Sequence, residues 1–324
     1  MLWVYAVGDI MLGSITPVRI LPPDSGKVFV ESVKGYLEGG DIVMGNLEGA
    51  FIKEGMKPSK CSESSRKAKR CYEFGMPGYL ANRLKEMGFN VLTLDNNHSM
   101  DYGFEAYNYT KRLLDSLGIL AVGKREYKIM NIGNIKVAIV PFGFSGSSWH
   151  ISDTITAKSV ISSLKDSADV IIVSFHGGAE GGNARHVRNE VERFYGENRG
   201  NVMAFAHAVI NAGADLVIGH GPHVLRGVEL YKGRLIAYSL GNFLTYGNVN
   251  IGGYGGITAI LKVMLDSTGK FVKGEIVPIV QKRPGIPVFD GEKRAIEIIR
   301  ELTNEDFNGG GVEIKDDGLI LPKE

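Results

Sequence analysis

A layered α/β fold is predicted for this chain of 324 residues by three observations. Short apolar runs alternate with amphipathic helical patterns along most of its length, the arrangement of an α/β domain. The runs are rich in β-branched residues and close on Gly, Asp or Asn, which marks buried strands rather than helices. Six of them stop at a residue able to bind a metal or an anion.

Those six runs are residues 2–7 before Gly8-Asp9, 41–44 before Gly45-Asn46-Leu47-Glu48, 90–94 before Asp95-Asn96-Asn97-His98, 169–175 before His176, 215–218 before Gly219-His220-Gly221-Pro222-His223, and 234–239 before Leu240-Gly241-Asn242. In an open α/β sheet the side chains just past the strand ends converge on one edge, so ligands distant in sequence can meet there. Residues 137–141 and 257–265 read as strands without chemistry, and 252–256 (GGYGG) as a flexible turn. Helices are predicted over 78–87, 104–117, 157–165, 202–212 and 292–302, the last with Ala295, Ile296, Ile298 and Ile299 on one face. The main domain is expected over 1–285, with 286–324 an appendage of one helix and a hairpin around Asp316-Asp317-Gly318 packed on the core.

With 44% hydrophobic residues the chain can bury a substantial core, and 37 basic against 36 acidic residues give no global pull toward nucleic acid or an anionic membrane. An anionic substrate must be attracted locally. Cys61 and Cys71 are too few for a secreted disulfide scaffold, and their pairing stays open. The first apolar run is too short to span a bilayer and lacks the marks of a signal peptide, so a cytoplasmic location is expected. Residues 53–70 are Lys-, Ser- and Arg-rich with almost no apolar side chain. They read as a mobile surface loop, placed to overhang the strand-end site after Glu48.

A divalent ion that activates water needs carboxylate, imidazole or amide ligands and one open position. Asp9, Glu48, Asn97, His98, His176, His220 and His223 supply that kit, each within a few residues of a strand end. His220 and His223 sit in a loop kept tight by Gly219, Gly221 and Pro222. Asn97 offers an amide oxygen, while His98 is placed to protonate a leaving group with Asp101 orienting its ring. Asn46, Arg226 and Asn242 are candidate substrate contacts. His150, His186 and His207 fit ordinary structural roles.

With these residues assembled, the chain resembles the CapA family of poly-γ-glutamate capsule synthesis proteins, whose domain is similar to the calcineurin-like metallophosphoesterases. The resemblance rests on GDIMLG at 8–13, NLEG at 46–49, NNHSMDYG at 96–103, HGGAE at 176–180 and the long run at 212–243, and it spans roughly 1–285. It implies a four-layer αββα sandwich of two mixed sheets and one or two Mn, Fe or Zn ions. By that likeness Asp9 is a first-metal carboxylate and Glu48 the bridging one; Asn97, His176 and His220 serve the second metal, and His223 returns to the first. His98 matches the histidine near the leaving oxygen. Three positions depart from the phosphoesterase and family patterns: Met11 stands where a His is usual, Glu48 replaces an Asp, and GHGPH has Gly221 where many relatives carry His.

The function expected is metal-dependent hydrolysis of a phosphoester by activated water. Two alternatives are a role in making or trimming a γ-glutamyl polymer and a non-catalytic metal-binding module. The partner is then a small anionic molecule or that polymer, with no nucleic-acid signal and no membrane segment.

Overall fold

The computed structural model describes residues 1–323. Two large sheets lie face to face. In the first, Leu2–Met11 runs parallel to Ile42–Leu47, followed outward by Val91–Thr93 and Leu120–Val122; on its other side lie antiparallel Ile257–Leu265 and then Phe271–Lys282. In the second, Leu216–His220 is flanked by parallel Val170–His176 and Arg234–Ala237, with Ile135–Phe142 beyond the former. Lys128–Ile132 and Val228–Tyr231 close its edges antiparallel.

Alternation along the strands builds the layers. Leu2, Val4 and Ala6 enter the core between the sheets, while Tyr5 and Val7 face the helices. In the second sheet Val137, Ile139, Val170 and Ile172 enter the same central core, and Ala138, Val140, Ile171 and Val173 turn outward. Each strand therefore feeds two cores, and three cores separate four layers. The outer layers are Lys27–Leu37, Ala81–Met87 and Gly103–Ser116 on the first sheet, and Thr154–Ser162 and Val202–Ala212 on the second. Truncating one such fully buried side chain, Ile139 or Ile172 to Ala, costs about 2–5 kcal/mol.

The C-terminal residues extend this body. Arg294–Phe307 inserts Ala295, Ile296, Ile299 and Leu302 into the central core. Ile286–Phe289 pairs with Phe271–Lys282, and so does the hairpin of Val312–Ile314 and Leu319–Pro322.

Several sequence expectations need correction. Lys27–Leu37 is a helix that the sequence pattern does not predict, and its apolar face is Phe29, Val33 and Leu37. The helix expected at 157–165 starts earlier, because Asp153 accepts the Thr156 N–H at 3.0 Å and caps it. The one expected at 292–302 runs on to Phe307. Residues 253–256 form a 3-10 turn. The basic stretch is not a free loop. It contains the short helix Glu63–Lys67, capped by Ser62, and Cys61 and Cys71 form a disulfide with Cα atoms 5.8 Å apart. Among the described residues no helix is long and apolar enough to cross a membrane.

Candidate metal centre

The parallel strands of both sheets end at one edge, and their registers set the candidate ligands in two facing rows. Asp9 pairs with Asn46 on one side and Asn242 on the other; in the second sheet His220 pairs with His176. Across the gap, His220 Nδ1 lies 3.5 Å from Asp9 Oδ1 and His176 Nδ1 lies 3.6 Å from Glu48 Oε2. One ligand atom each from Asp9, Glu48 and His176 fall within 4.8 Å of one another, and all three residues are buried.

Gly8 makes the first row possible. A β-carbon there would overlap the Gly241 carbonyl, which instead accepts the Asp9 N–H at 2.9 Å. The register shifts between Asp9 and Ile10, and Met11 is buried in the helix-side core. The position where the resemblance expects an imidazole is thus filled by a packing residue.

The second row depends on its loop. Gly221 takes φ +113° against Gly177, and His223 itself adopts a left-handed φ of 60°. That conformation costs a non-glycine residue about 1–2 kcal/mol. It is offset by bonds that fix the ring: His223 Nδ1 lies 2.9 Å from Asp9 Oδ2 and 3.1 Å from Asn242 Oδ1. Two acceptors make Nδ1 the protonated nitrogen. Nε2 is left facing Glu180, 4.0 Å away.

On the opposite flank, Asn96 organises the turn after Val91–Thr93. Its Oδ1 accepts the His98 and Ser99 N–H groups at 2.9 and 2.8 Å, and its amide donates to Asn46 Oδ1 at 2.8 Å. His98 Nδ1 lies 2.7 Å from Asp101 Oδ2. Asp101 also accepts the Phe74 N–H at 2.8 Å and the Lys60 ammonium at 2.9 Å, so it is a carboxylate and the His98 proton sits on Nδ1.

Charge in the centre is unevenly held. Burial works to raise Asp9, but the neighbouring imidazoles of His220 and His223 hold its carboxyl well below the usual carboxylate range. Burial and the Asp9 charge push Glu48 up to about 8. Burial drives His176 well down. It would lower His223 too, yet Asp9, Glu180 and Glu48 outweigh it and push that ring up to about 10.

Whether a cation fits can be judged from buried polar atoms without partners. Glu48 Oε1, His176 Nε2, both nitrogens of His220 and Asn97 Oδ1 are buried and unpaired. Such atoms each cost roughly 1–3 kcal/mol, and here they are carboxylate, imidazole and amide donors at one strand edge. Glu48 and His176 belong with Asp9 to a buried group whose ligand atoms lie close enough together to hold a cation.

The other expected contacts are distributed differently. Asn242 lines the cavity above the centre and donates to the His223 and Gly255 carbonyls. Asn46 is not a substrate contact but part of the cluster, its amide lying 2.8 Å from Asp9 Oδ1 and 2.5 Å from Glu48 Oε2. Arg226 is not a substrate clamp either. It is fully buried, and its guanidinium grips Glu192 at 2.6 and 2.9 Å. The histidines given ordinary roles are paired elsewhere: His186 with Asp306, His207 with Glu229, and His150 with the Ser152 N–H.

Sequence reasoning missed Glu180, which lines the cavity and pairs with Arg199 at 2.9 Å. The HGGAE run was the available signal. It also missed the buried group of Asp95, Lys124 and Ser148, in which Ser148 donates to Asp95 and the Lys124 ammonium lies 3.6 Å from the same carboxylate.

Two facing mixed sheets with a buried carboxylate and imidazole cluster at their common edge define an α/β protein with a group of side chains able to hold a metal ion. A sequence profile described as bacterial capsule synthesis protein PGA_cap matches residues 3–246, and the chain belongs to that family. It is 30% identical over 263 residues to the capsule biosynthesis protein CapA of Bacillus anthracis, covering 74% of this chain and 58% of that one. It is 28% identical over 319 residues to the PGA biosynthesis protein CapA of Bacillus subtilis (strain 168), covering 92% and 77%. The chain thus spans less than two thirds of the Bacillus anthracis relative. Among solved structures, a hypothetical protein from Thermus thermophilus shares the fold, with a TM-score of 0.52, 15% identity, and coverage of 87% of this chain and 100% of that one. A 5'-nucleotidase precursor from the same organism aligns with a TM-score of 0.43 and 13% identity over 94% of this chain and 58% of that one.

Proposed function

We propose that this protein is a metal-dependent hydrolase acting on a phosphoester. The observation that carries the reading is the set of buried, unpaired donor atoms on Glu48, His176 and His220 beside Asp9, with that of Asn97 at the same strand edge. Asp9, Glu48, Asn97, His176, His220 and His223 would hold one or two Mn, Fe or Zn ions. Such an ion supplies Lewis acidity toward a water and toward a substrate oxygen. The Asn46 amide fixes the carboxylates of Asp9 and Glu48 relative to each other. With the His98 Nδ1–H committed to Asp101, Nε2 would pass a proton to a leaving oxygen from the doubly protonated ring, the state that Asp101 favours and burial and Lys60 oppose. Residues 1–285 form the body carrying this chemistry, and 286–324 serve as its C-terminal support.

A second reading, action on a γ-glutamyl polymer, is favoured by the names of the two Bacillus relatives, which concern capsule and PGA biosynthesis. Purified protein loaded with Mn, Fe or Zn, checked by metal analysis, separates the readings through assays on a phosphomonoester, a phosphodiester and a γ-glutamyl oligomer. Ester turnover is expected. His98→Ala should lower it by about 100-fold or more with metal content intact. Ester turnover that survives in Asp9→Asn, or tight metal binding without turnover of any substrate, sinks the hydrolase reading.

A further inference from the structure

The cavity over the centre, about 460 Å³, takes its ionisable lining from Glu48, His98, Glu180 and His223. Among the described residues lining it, none is Lys or Arg. Its lining also carries three aromatic rings, Tyr72, Phe74 and Phe194. Tyr72 is 45% exposed, and the Phe74 ring lies 4.6 Å from that of His98. Phe194 stands on the small hairpin of Arg193–Phe194 and Glu197–Asn198. That hairpin is tied to the centre through Arg199, which pairs with Glu180 and Glu197 at 2.9 Å each and stands 5.4 Å from the Phe194 ring. Tyr195 projects from the hairpin tip, 92% exposed. No apolar core uses Tyr72 or Tyr195, and exposed aromatic surface grouped around a cavity mouth marks a binding surface.

We propose that this collar selects the substrate: an ester with a single anionic group, which reacts at the centre, attached to an uncharged flat-faced ring that lies against Phe194 and Tyr72. The inference rests on the hydrolase reading and names its substrate class. Aryl groups and sugars share the required chemistry, a flat apolar face of a size the rings can cover. A polymer with a carboxylate on every unit fits poorly, because none of the lining residues is Lys or Arg and the Arg199 guanidinium beside them is already paired with Glu180 and Glu197.

Binding tests this without relying on turnover. Calorimetry on the full chain loaded with Mn would compare phenylphosphonate, a hexose phosphonate, methylphosphonate and a γ-glutamyl oligomer, in the unsubstituted protein, Phe194→Ala and Tyr72→Ala. At least one ring-bearing phosphonate should bind about tenfold tighter than methylphosphonate, a difference of about 1.4 kcal/mol. Either substitution should erase most of that margin while leaving methylphosphonate unchanged, and which ring wins tells aryl from sugar. Equal binding of all three phosphonates, equal losses for all of them in both variants, or preference for the γ-glutamyl oligomer would overturn the proposal. Ring selectivity that depends on Phe194 in a protein lacking turnover supports the collar and counts against the hydrolase reading, so the two failures are distinguishable.

Discussion

His98 and His223 line one cavity, and each sets its Nδ1 against a buried aspartate, at 2.7 Å from Asp101 and 2.9 Å from Asp9. Their proton affinities nevertheless diverge. Burial pushes His98 down; Asp101 opposes this, but the Lys60 ammonium adds to it. His223 is pushed up to about 10 by Asp9, Glu180 and Glu48 despite its burial. Partner and surroundings act together: each aspartate raises its own imidazole, but at His98 burial and Lys60 outweigh it, whereas at His223 Glu180 and Glu48 add to Asp9. Asp101 is shared with the Lys60 ammonium and the Phe74 N–H, and Lys60 works against it at the His98 ring. Asp9 faces no Lys or Arg in the cavity wall and shares its surroundings with Glu48 and Glu180.

The largest expected effect comes from removing the charge on the His223 side. Asp9→Asn keeps the shape and loses the only strongly ionised carboxylate of the cluster, so affinity for Mn or Zn should fall by about 100-fold or more, the upper end of what supporting groups behind a metal cost. Metal titration of the purified variant reads this directly, and an unchanged affinity would remove Asp9 from the centre.

The His98 side depends on a clasp. Ser59 and Lys60 hold the Asp101 turn from one arm of the basic stretch, Phe74 from the other, and Cys61–Cys71 joins the arms just behind. Replacing both cysteines by Ser should cost about 2–3 kcal/mol of stability, as expected for a loop of this length. Hydrogen exchange should then quicken at residues 98–101 and stay constant at 220–223. Equal quickening at both places would show that the clasp is not local.

Burial without a nearby reactive group can be calibrated at the opposite end of the second sheet. Asp215 accepts the Ile171 N–H at 2.8 Å and lies 3.2 Å from the Arg234 guanidinium, yet burial raises it from 3.8 to about 6. The folded state therefore keeps this proton longer than the unfolded chain, and its contribution to stability is lost as pH rises from 3.8 to about 6. Asp215→Asn does not titrate and should gain on the unsubstituted protein by about 1–3 kcal/mol across that window. A stability difference that stays flat with pH would contradict the shift.

The smallest effect sharpens the comparison itself. Lys60→Met removes the cation beside His98, so in metal-free protein the His98 pKa should rise while that of His223 holds, both read by NMR titration. A fall at His98 would mean that Lys60 acts mainly by ionising Asp101.

Much of the outline was legible because burial writes itself into periodicity. The strand at Ile257–Leu265 and the helix at Val202–Ala212 have the predicted limits, and the strand-end residues could be read as candidates before any contact was known. Lys27–Leu37 was not legible: Gly26 starts it without a side-chain cap, and Val28, Val30 and Val33 weaken its helical signal. Spacing alone could not pair Cys61 with Cys71. The burial of Arg226 was hidden as well, since its partner Glu192 is 34 positions away in a segment with no periodic pattern. Asn46 looked like a free amide because nothing local reveals that parallel register sets it beside Asp9.

Asp9 and His223 touch across a sequence separation of 214 residues, and that distance has a thermodynamic corollary. A cation held by residues so far apart in sequence would report on both sheets and would add about 2.7 kcal/mol of resistance to unfolding when free ion stands at 100 times its dissociation constant. Heat or denaturant should then release the ion and melt both sheets in one event.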